Sequence, residues 1–472
     1  MPDAYSSLIL PDVRVMVQEN DRHGLTELCQ FLHPAVVASI LEELEPREVW
    51  TVLDHADLRL RVEIFEYIAL KRQQELVEQL DRRRLSELLE EMSADDRVDL
   101  LSRMPQERVE DLLPLIAQAE RNDIRRLLSY PDHSAGSIMT TEYASLPADI
   151  TVREALQRLR QQAPNSETIY YVYILNDKRR LLGLISLREL ILAKPDAVLS
   201  DIMQPDTIRM RVDEDREHVA QEVARYNFIA MPIVDSDDRL VGIVTHDDAL
   251  DVVQEEATED AYRQGAVEPL RDDYADTPLP VILWKRGIWL LLLSFVALMT
   301  AGVLKYYEHV TSPEGSRAAD APPGLTATLI VLFLPLVMAS GGNAGAQSAT
   351  LFIRMFALQP SDTAVPGTEF RVDRRLTLRE LTVALLLGSG LGIVDFLFVW
   401  MMPGYGLTLR QATVVGFTVM LIVLLGTIAG TMLPVLLRRL GFDPAIMSNP
   451  LIAAIVDVLG VVIFYEIAMF LL

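Results

Sequence analysis

Asn449, Ala453 and Asp457 stand four residues apart, which on a helix places them in one stripe. The stripe begins just ahead of and continues into the apolar run 451–472, which as a helix would be about 33 Å long and would cross a bilayer. A carboxylate at that depth costs at least about 2.5 to 3.5 kcal/mol to insert, so it marks a functional residue by default. The bland reading is an Asp paired with a polar group of another helix. No Lys, Arg or His lies inside the apolar runs to neutralise it, which leaves a cation from solution as the favoured partner. Gly460, three residues on, leaves room for a neighbour near the same face. A second reactive stretch is DVVQEEATEDAYRQGAVEPLRDDYAD, 251–276, with nine acidic and two basic residues. Alone, such a run reads as a solvated helix face. Two carboxylates about 4 Å apart repel by ~4 kcal/mol at an effective dielectric of 20, and a divalent cation between them reverses the sign.

Five apolar runs position these groups, at about 287–304, 325–340, 380–401, 412–437 and 451–472. The charges within them are Asp395, Asp457 and Glu466, with Glu380 at the very start of the third. Five runs of this length predict five transmembrane helices rather than the core of a soluble enzyme. Basic residues set the orientation. Lys285 and Arg286 precede the first run, Arg354, Arg371, Arg374, Arg375 and Arg379 separate the second from the third, and Arg438 and Arg439 separate the fourth from the fifth. The alternate loops carry Lys305, Arg317 and Arg410. The N-terminal part is therefore expected in the cytoplasm and the C-terminus outside, in a multi-pass protein of the cell (inner) membrane.

The second run, FLPLVMASGGNAGAQSAT, carries Pro335 and Gly341-Gly342, residues that break a helical hydrogen-bond ladder. Broken backbone at membrane depth is tolerated where it is buried in protein or lines a water-filled path. Gly341, Gly342, Asn343 and Gln347 are thus candidate pore-lining residues; the small and amide residues, with Ser348, equally suit close helix packing.

The 472-residue chain has a formal charge of −24, which argues against nucleic acid as a partner and for cations. Its acidity lies almost wholly before residue 280. Cys29 is its one cysteine, so no internal disulfide and no thiolate zinc site can form. The start, MPDAYSSLILPDVRV, lacks a basic stretch followed by a long apolar one, and no signal peptide is expected. Between residues 25 and 130 a short helical unit recurs, as in LEELEPREVWTVL, LLEEMSADDRVDLL and LSRMPQERVEDLLPLI, punctuated by Pro46, Ser93 and Pro105. This predicts an α-helical solenoid-like domain.

A second repeat opens at SIMTTEYASLPADITVREALQRLR (137–160) and returns at DIMQPDTIRMRVDEDREHVAQEVAR (201–225), each copy ending in a G-h-h-[ST] turn, LLGLISLREL and LVGIVTHDDAL. The order strand, helix, strand, strand, helix resembles the cystathionine-β-synthase type of domain pair. That resemblance implies a regulatory cleft for an adenosine nucleotide such as ATP. Thr245 and Asp248 match its phosphate and ribose positions, the first copy has Ser186 and Glu189 there, and Tyr171, Arg188 and Phe228 are further candidates.

SGGNAGAQSAT, LLRRLGFDPAIMSNPLIAAIVDVLG and EATEDAYRQGAV, taken with the whole order of segments, resemble the MgtE family of magnesium channels and transporters. The resemblance implies a multidomain membrane protein. Its parts are an N-terminal α-helical solenoid-like domain (1–132), α/β paired cystathionine-β-synthase-type domains (137–198 and 199–254), an acidic connecting (plug) helix (251–278) and a five-helix transmembrane α domain (281–472). It also implies a homodimer in the lipid bilayer whose pore lies between subunits, with Asp457 coordinating hydrated Mg2+, and Asn449 and the backbone of Ala453 beside it. Cytosolic sensor carboxylates then correspond to Asp95, Asp99, Asp215, Glu217, Asp248, Asp251, Glu256, Glu259 and Asp260. The chain departs from the family at Asn227, Ala346 and Val456, and Asp395 has no counterpart.

The function implied is magnesium influx down its electrochemical gradient, closed by intracellular magnesium at the acidic domain interfaces. No GxxxxGK[ST] loop or phosphorylated-Asp pump motif is present, so no enzyme activity is expected. The rival readings are a path for cobalt, nickel or manganese, a magnesium exporter, and a membrane-anchored nucleotide sensor. A chloride channel would want basic or helix-N-terminal features where this chain has Asp457.

Overall fold

The structure is a computed structural model that describes residues 4–270, 274, 277–311, 325–358, 374–401, 407–440 and 442–471. It divides into two compact units, Met1–Val253 and Gln254–Leu472. Arg317 and Arg371 of the orientation reading lie outside the described residues, as do Arg271, Asp272, Asp273 and Asp276 of the acidic run.

The first unit opens with ten helices: α1 (Ala4–Glu19), α2 (Arg22–Phe31), α3 (Pro34–Leu41), α4 (Pro46–Leu53), α5 (Leu58–Glu66), α6 (Leu70–Val77), α7 (Arg82–Glu91), α8 (Ala94–Ser102), α9 (Gln106–Leu112) and α10 (Gln118–Leu127). From α2 onward their N-caps fall on every twelfth residue: Asp21, His33, Glu45, Asp57, Ala69, Asp81, Ser93, Pro105 and Ala117. Where the cap is Asp, its carboxylate takes an otherwise orphaned amide; Asp57 accepts from the Leu60 N–H at 2.9 Å and Asp81 from the Arg84 N–H at 2.8 Å. Each helix packs chiefly on the next but one, so the helices form two rows around a shared core running from Val13 to Ile124. Side chains add bonds within and between the rows: the Trp50 indole of α4 donates to the Leu76 carbonyl of α6 in the same row at 3.0 Å, and Arg108 of α9 reaches across to that of Val77 at 2.8 Å. This is the solenoid-like domain expected from the sequence. Cys29 is fully buried in it, and burial pushes its thiol up to about 11, which makes it inert.

Two three-stranded sheets follow. The first is β1 (Tyr143–Pro147), β2 (Thr168–Leu175) and β3 (Leu181–Ser186), with helices α11 (Val152–Gln162) and α12 (Leu187–Leu192). After α13 (Leu199–Ile202), the second is β4 (Met210–Arg211), β5 (Ala230–Val234) and β6 (Leu240–Thr245), with α14 (Arg216–Tyr226) and α15 (His246–Gln264). In each, the first pair of strands is parallel and the second antiparallel, the order read from the repeat. The copies exchange their leading segments: Thr140 bridges to Ile243 of the second sheet, and Gln204 to Leu184 of the first. This explains the glycine of each G-h-h-[ST] turn. A Cβ on Gly242 would stand 2.8 Å from the Thr140 carbonyl oxygen, and one on Gly183 would strike that of Gln204.

In the second unit, α16 (Leu279–Thr311), α17 (Leu325–Leu358), α18 (Arg374–Met401), α19 (Leu409–Arg439) and α20 (Asn449–Leu471) are all long. Among the described residues, α16, α18, α19 and α20 are apolar over enough length to cross a membrane. Two expectations need correction. The acidic connecting helix, expected over 251–278, begins and ends earlier: α15 starts at His246 and runs unbroken to Gln264, where Gly265 and Ala266 (φ 56°) turn the chain. And α17 is not broken at Gly341-Gly342; it is one helix of 34 residues with Pro335 inside it.

Packing overrides glycine's weak helix propensity in α17. Gly341 and Gly345 of α17 lie against Gly426 and Gly430 of α19, so closely that a Cβ on Gly426 would strike the Gly341 carbonyl and one on Gly430 that of Gly345. This is the small-residue, four-apart contact by which helices approach where burial from water cannot drive association. α18 packs on the outside of α19, and α20 lies against α17, α19 and α16.

Candidate metal centres

On the membrane side, Asn449 starts α20 and its side-chain oxygen accepts a hydrogen bond from the Thr350 hydroxyl of α17 at 3.2 Å. One and two turns on, Ala453 and Asp457 face Gly342. A Cβ on that glycine would lie 3.2 Å from the Ala453 Cβ and 3.8 Å from an Asp457 carboxylate oxygen. The three stripe residues are half-buried. Asp457 forms no ion pair or hydrogen bond among the described residues, so the carboxylate stands beside a stretch of helix that carries no side chain. The neighbours of Gly460 are Ile422 of α19 and Val337 of α17.

The candidate pore-lining residues divide. Gly341 is buried in the α17–α19 seam, Gly342 faces the stripe, and Asn343 and Gln347 are exposed in the single chain. Of the departures, Val456 is fully buried and packs where Gly341 leaves space, away from Asp457 in the helix core. Ala346 is half-buried and its carbonyl accepts from the Thr350 hydroxyl at 2.9 Å. Asp395, half-buried on α18, is outside this group.

The first unit gathers a different set. Asp95 and Asp96 occupy the first turn of α8, and Asp247 and Asp248 that of α15, positions where the helix dipole favours negative charge. Ser93 ties two acids in: its hydroxyl meets Asp96 at 3.0 Å and its N–H donates to Glu66 at 2.9 Å. The Thr245 hydroxyl donates to Asp248. Glu142 and Glu167 complete the cluster, with Arg97, 3 % exposed, 3.7 Å from Glu142. One oxygen of Asp95 is buried without a hydrogen-bond partner.

These acids raise one another's proton affinity. Burial, then Asp95 and Glu66, push Asp96 up to about 8. Burial, then Asp95, push Asp248 up to about 8. Glu142 rises to about 7 through burial, although Arg97 opposes it, and Glu167 to about 7 through burial and then Asp95. Asp95 is itself raised, mainly by burial. A divalent cation here would relieve the repulsion and displace protons. Among the described residues no three His, Cys, Asp or Glu side chains are gathered tightly enough to hold a metal ion.

Of the sensor carboxylates read from the sequence, Asp95 and Asp248 are thus brought together. The others lie elsewhere. Asp99 is on the exposed face of α8, Asp215 caps α14 by accepting from the Glu217 N–H at 2.8 Å, and Glu217 accepts from Gln221 at 3.0 Å. Asp251 is exposed on α15 and Glu256 half-buried. Glu259 pairs with Arg263, and Asp260 is raised by burial against the opposing pull of Arg263. Sequence reasoning missed Glu66, Asp96, Glu142, Glu167 and Asp247. The acidic doublets of SADD and THDD, both at helix starts, were the legible signal for two of them.

The nucleotide candidates are largely occupied with local structure. Ser186 and Glu189 form a reciprocal capping box on α12, and Gln204 donates to Glu189 at 3.0 Å. Arg188 is exposed. Tyr171 and Phe228 meet edge to face, 6.0 Å between ring centres, at the join of the two sheets. A phosphate at Thr245 would enter the field of Asp95, Asp247 and Asp248.

A family profile described as MgtE, divalent cation transporter, matches residues 334–467. The MgtE intracellular N domain matches 32–133, and the CBS domain matches 135–196 and 199–255. The chain is 41% identical over 355 residues to the magnesium transporter MgtE of Thermus thermophilus, covering 74% of this chain and 72% of that one. It is 35% identical over 348 residues to the magnesium transporter MgtE of Enterococcus faecalis, covering 73% and 71%. The crystal structure of the soluble part of a magnesium transporter covers 53% of this chain and 99% of its own, at 32% identity and a TM-score of 0.51. A helical N-terminal domain, a CBS pair and a set of long apolar helices, each matched in its own segment, make the chain a member of the MgtE family of divalent cation transporters.

Proposed function

We propose that this chain passes magnesium across the cell membrane, inward down its electrochemical gradient, and that magnesium held by the cytosolic carboxylates closes the path. The observation that carries the reading is Asp457, half-buried on α20, facing Gly342 and Ala453 with no cationic partner among the described residues. The relatives named magnesium transporters support the choice of ion.

Magnesium keeps most of its waters, so a carboxylate with the Asn449 amide and the Ala453 carbonyl nearby suits outer-shell contact with a hydrated ion. Such binding is weak enough to let the ion leave again. Asp457, Asn343 and Gln347 are all partly or fully exposed in one chain, which favours a homodimer whose second copy closes around them. The N-terminal unit lies in the cytoplasm and the C-terminus outside. No hydrolysis is needed, since the membrane potential drives a dication inward.

The test is flux into sealed proteoliposomes. Asp457→Ala is expected to abolish magnesium uptake while leaving insertion intact, and uptake at the wild-type rate would sink the assignment. Running cobalt, nickel and manganese beside magnesium, in both directions, separates the other-metal and export readings. Tight ATP binding without ion flux would favour the nucleotide sensor instead.

A further inference from the structure

Near the end of α15 the Arg263 guanidinium reaches two carboxylates at once. One terminal nitrogen pairs with Glu259, a turn back on the same helix, and the other with Asp443 in the loop between α19 and α20. Asp443 is part of a stiff connection: it caps the short turn Pro444–Ile446 by accepting from the Ala445 N–H at 2.8 Å. The Ser448 N–H then donates to the Ile446 carbonyl at 2.8 Å, and Asn449 begins α20. The three charged side chains are 31%, 22% and 33% exposed, so the triad is sheltered enough to exceed the small worth of an open surface pair. A planar fork can hold two carboxylates in fixed directions where an ammonium would serve as a point charge.

The chain beyond α15 is tied elsewhere. Lys285 of α16 donates to the Pro269 carbonyl, and the Trp289 indole donates to Glu268 at 3.3 Å. Those bonds fasten the exit of α15 to α16, whereas Arg263 fastens α15 to the loop that leads into the Asn449, Ala453 and Asp457 stripe.

We propose that Arg263 is a positioning residue for the gate: its ion pair with Asp443 couples movement of the connecting helix to the start of α20. The inference rests on the reading of this chain as a gated magnesium path. Without the guanidinium, Glu259 and Asp443 are left facing one another as like charges, and the helix loses its hold on the loop.

The experiment uses the full chain in proteoliposomes, with magnesium uptake followed as magnesium on the cytosolic face is raised. Arg263→Gln is expected to need about five-fold or more magnesium to close, within the usual range of coupling between sites. D443N, which keeps the cap on Ala445, is expected to shift closure in the same direction. The charge swap R263E/D443R restores a cation between carboxylates and is expected to close near the wild-type concentration, a rescue that mere packing would not give. Closure of R263Q or D443N at the wild-type concentration, or a swap no better than R263Q, overturns the clamp alone. A wild-type chain without magnesium flux overturns the reading on which it rests.

Discussion

Asp95, in the first turn of α8, and Asp248, in the first turn of α15, lie close enough that the charge of the first raises the proton affinity of the second. One belongs to the helical domain and the other to the second CBS repeat, so their repulsion acts across the contact between those domains. The apolar side of that contact holds them there: Ala94 and Val98 of α8 share a core with Val219 and Val223 of α14 and with Ala249 and Val252 of α15. Burial thus opposes charge at one interface, and the balance is open to protons and cations.

The first prediction concerns protons. Asp96 and Asp248 are pushed up to about 8, and Glu142 and Glu167 to about 7. A carboxyl whose folded pKa is raised binds protons on folding, so its contribution is fully present below the unfolded value near 4 and is lost as pH rises through the folded value. In metal-free buffer the unfolding midpoint of the Met1–Val253 unit should therefore fall between pH 6 and pH 8.5, by roughly 2 to 4 °C for each kcal/mol lost. Magnesium should flatten that slope. A midpoint that rises with pH would show these acids to be stabilised as anions.

Asp248→Asn removes one charge from the cluster and keeps an oxygen for the Thr245 hydroxyl. Without magnesium the variant should be more stable than wild type by about 1 to 2 kcal/mol, the worth of roughly one pKa unit. It should also gain less from added magnesium. Thermal unfolding with and without the ion measures both, and a loss of stability in metal-free buffer would refute the repulsion.

What could be read from the sequence follows from how local each signal is. Asp457 was legible because membrane depth makes a carboxylate costly wherever it stands. Asp248 was legible through its turn motif and Asp95 through the family resemblance, but Glu66, Glu142 and Glu167 have neither, and the fold alone brings them together. The twelve-residue register of the helical domain was hidden because its caps are Asp, His, Glu, Ala, Ser and Pro, alike in position and unlike in chemistry. The glycines of α17 misled, since a residue that weakens an isolated helix is also the one that lets two helices touch.

Asn227, where the family resemblance implies an Asp, holds a backbone conformation that both residues tolerate. It ends α14 in the left-handed conformation, φ 53° and ψ 41°, its N–H bonded back to the last turn. Asn and Gly tolerate that region, while a β-branched residue does not. Asn227→Val should lose about 1 to 2 kcal/mol, and Asn227→Gly should stay near wild type, in denaturant unfolding of the chain. Equal stability of the two variants would remove the backbone argument and leave the side chain to explain the position.

The glycines of α17 and α19 make the sharpest contrast, because Gly430 and Gly342 predict different failures. Gly430 of α19 has the Gly345 carbonyl where its Cβ would go, and backbone cannot turn aside as a side chain can. Gly430→Ala should therefore force the two helices apart, at a cost of about 1 to 3 kcal/mol, and lower the thermal midpoint of the membrane unit in detergent. A Cβ on Gly342 instead meets the Ala453 Cβ at 3.2 Å and an Asp457 oxygen at 3.8 Å, a contact that a shift of a few tenths of an ångström relieves. Gly342→Ala should keep the midpoint near wild type and reduce ion flux, since its methyl enters the space in front of the carboxylate. Measuring midpoint and flux for both variants separates packing from conduction. A Gly342→Ala chain with full flux, or a Gly430→Ala chain with an unchanged midpoint, would reverse the roles of the two glycines.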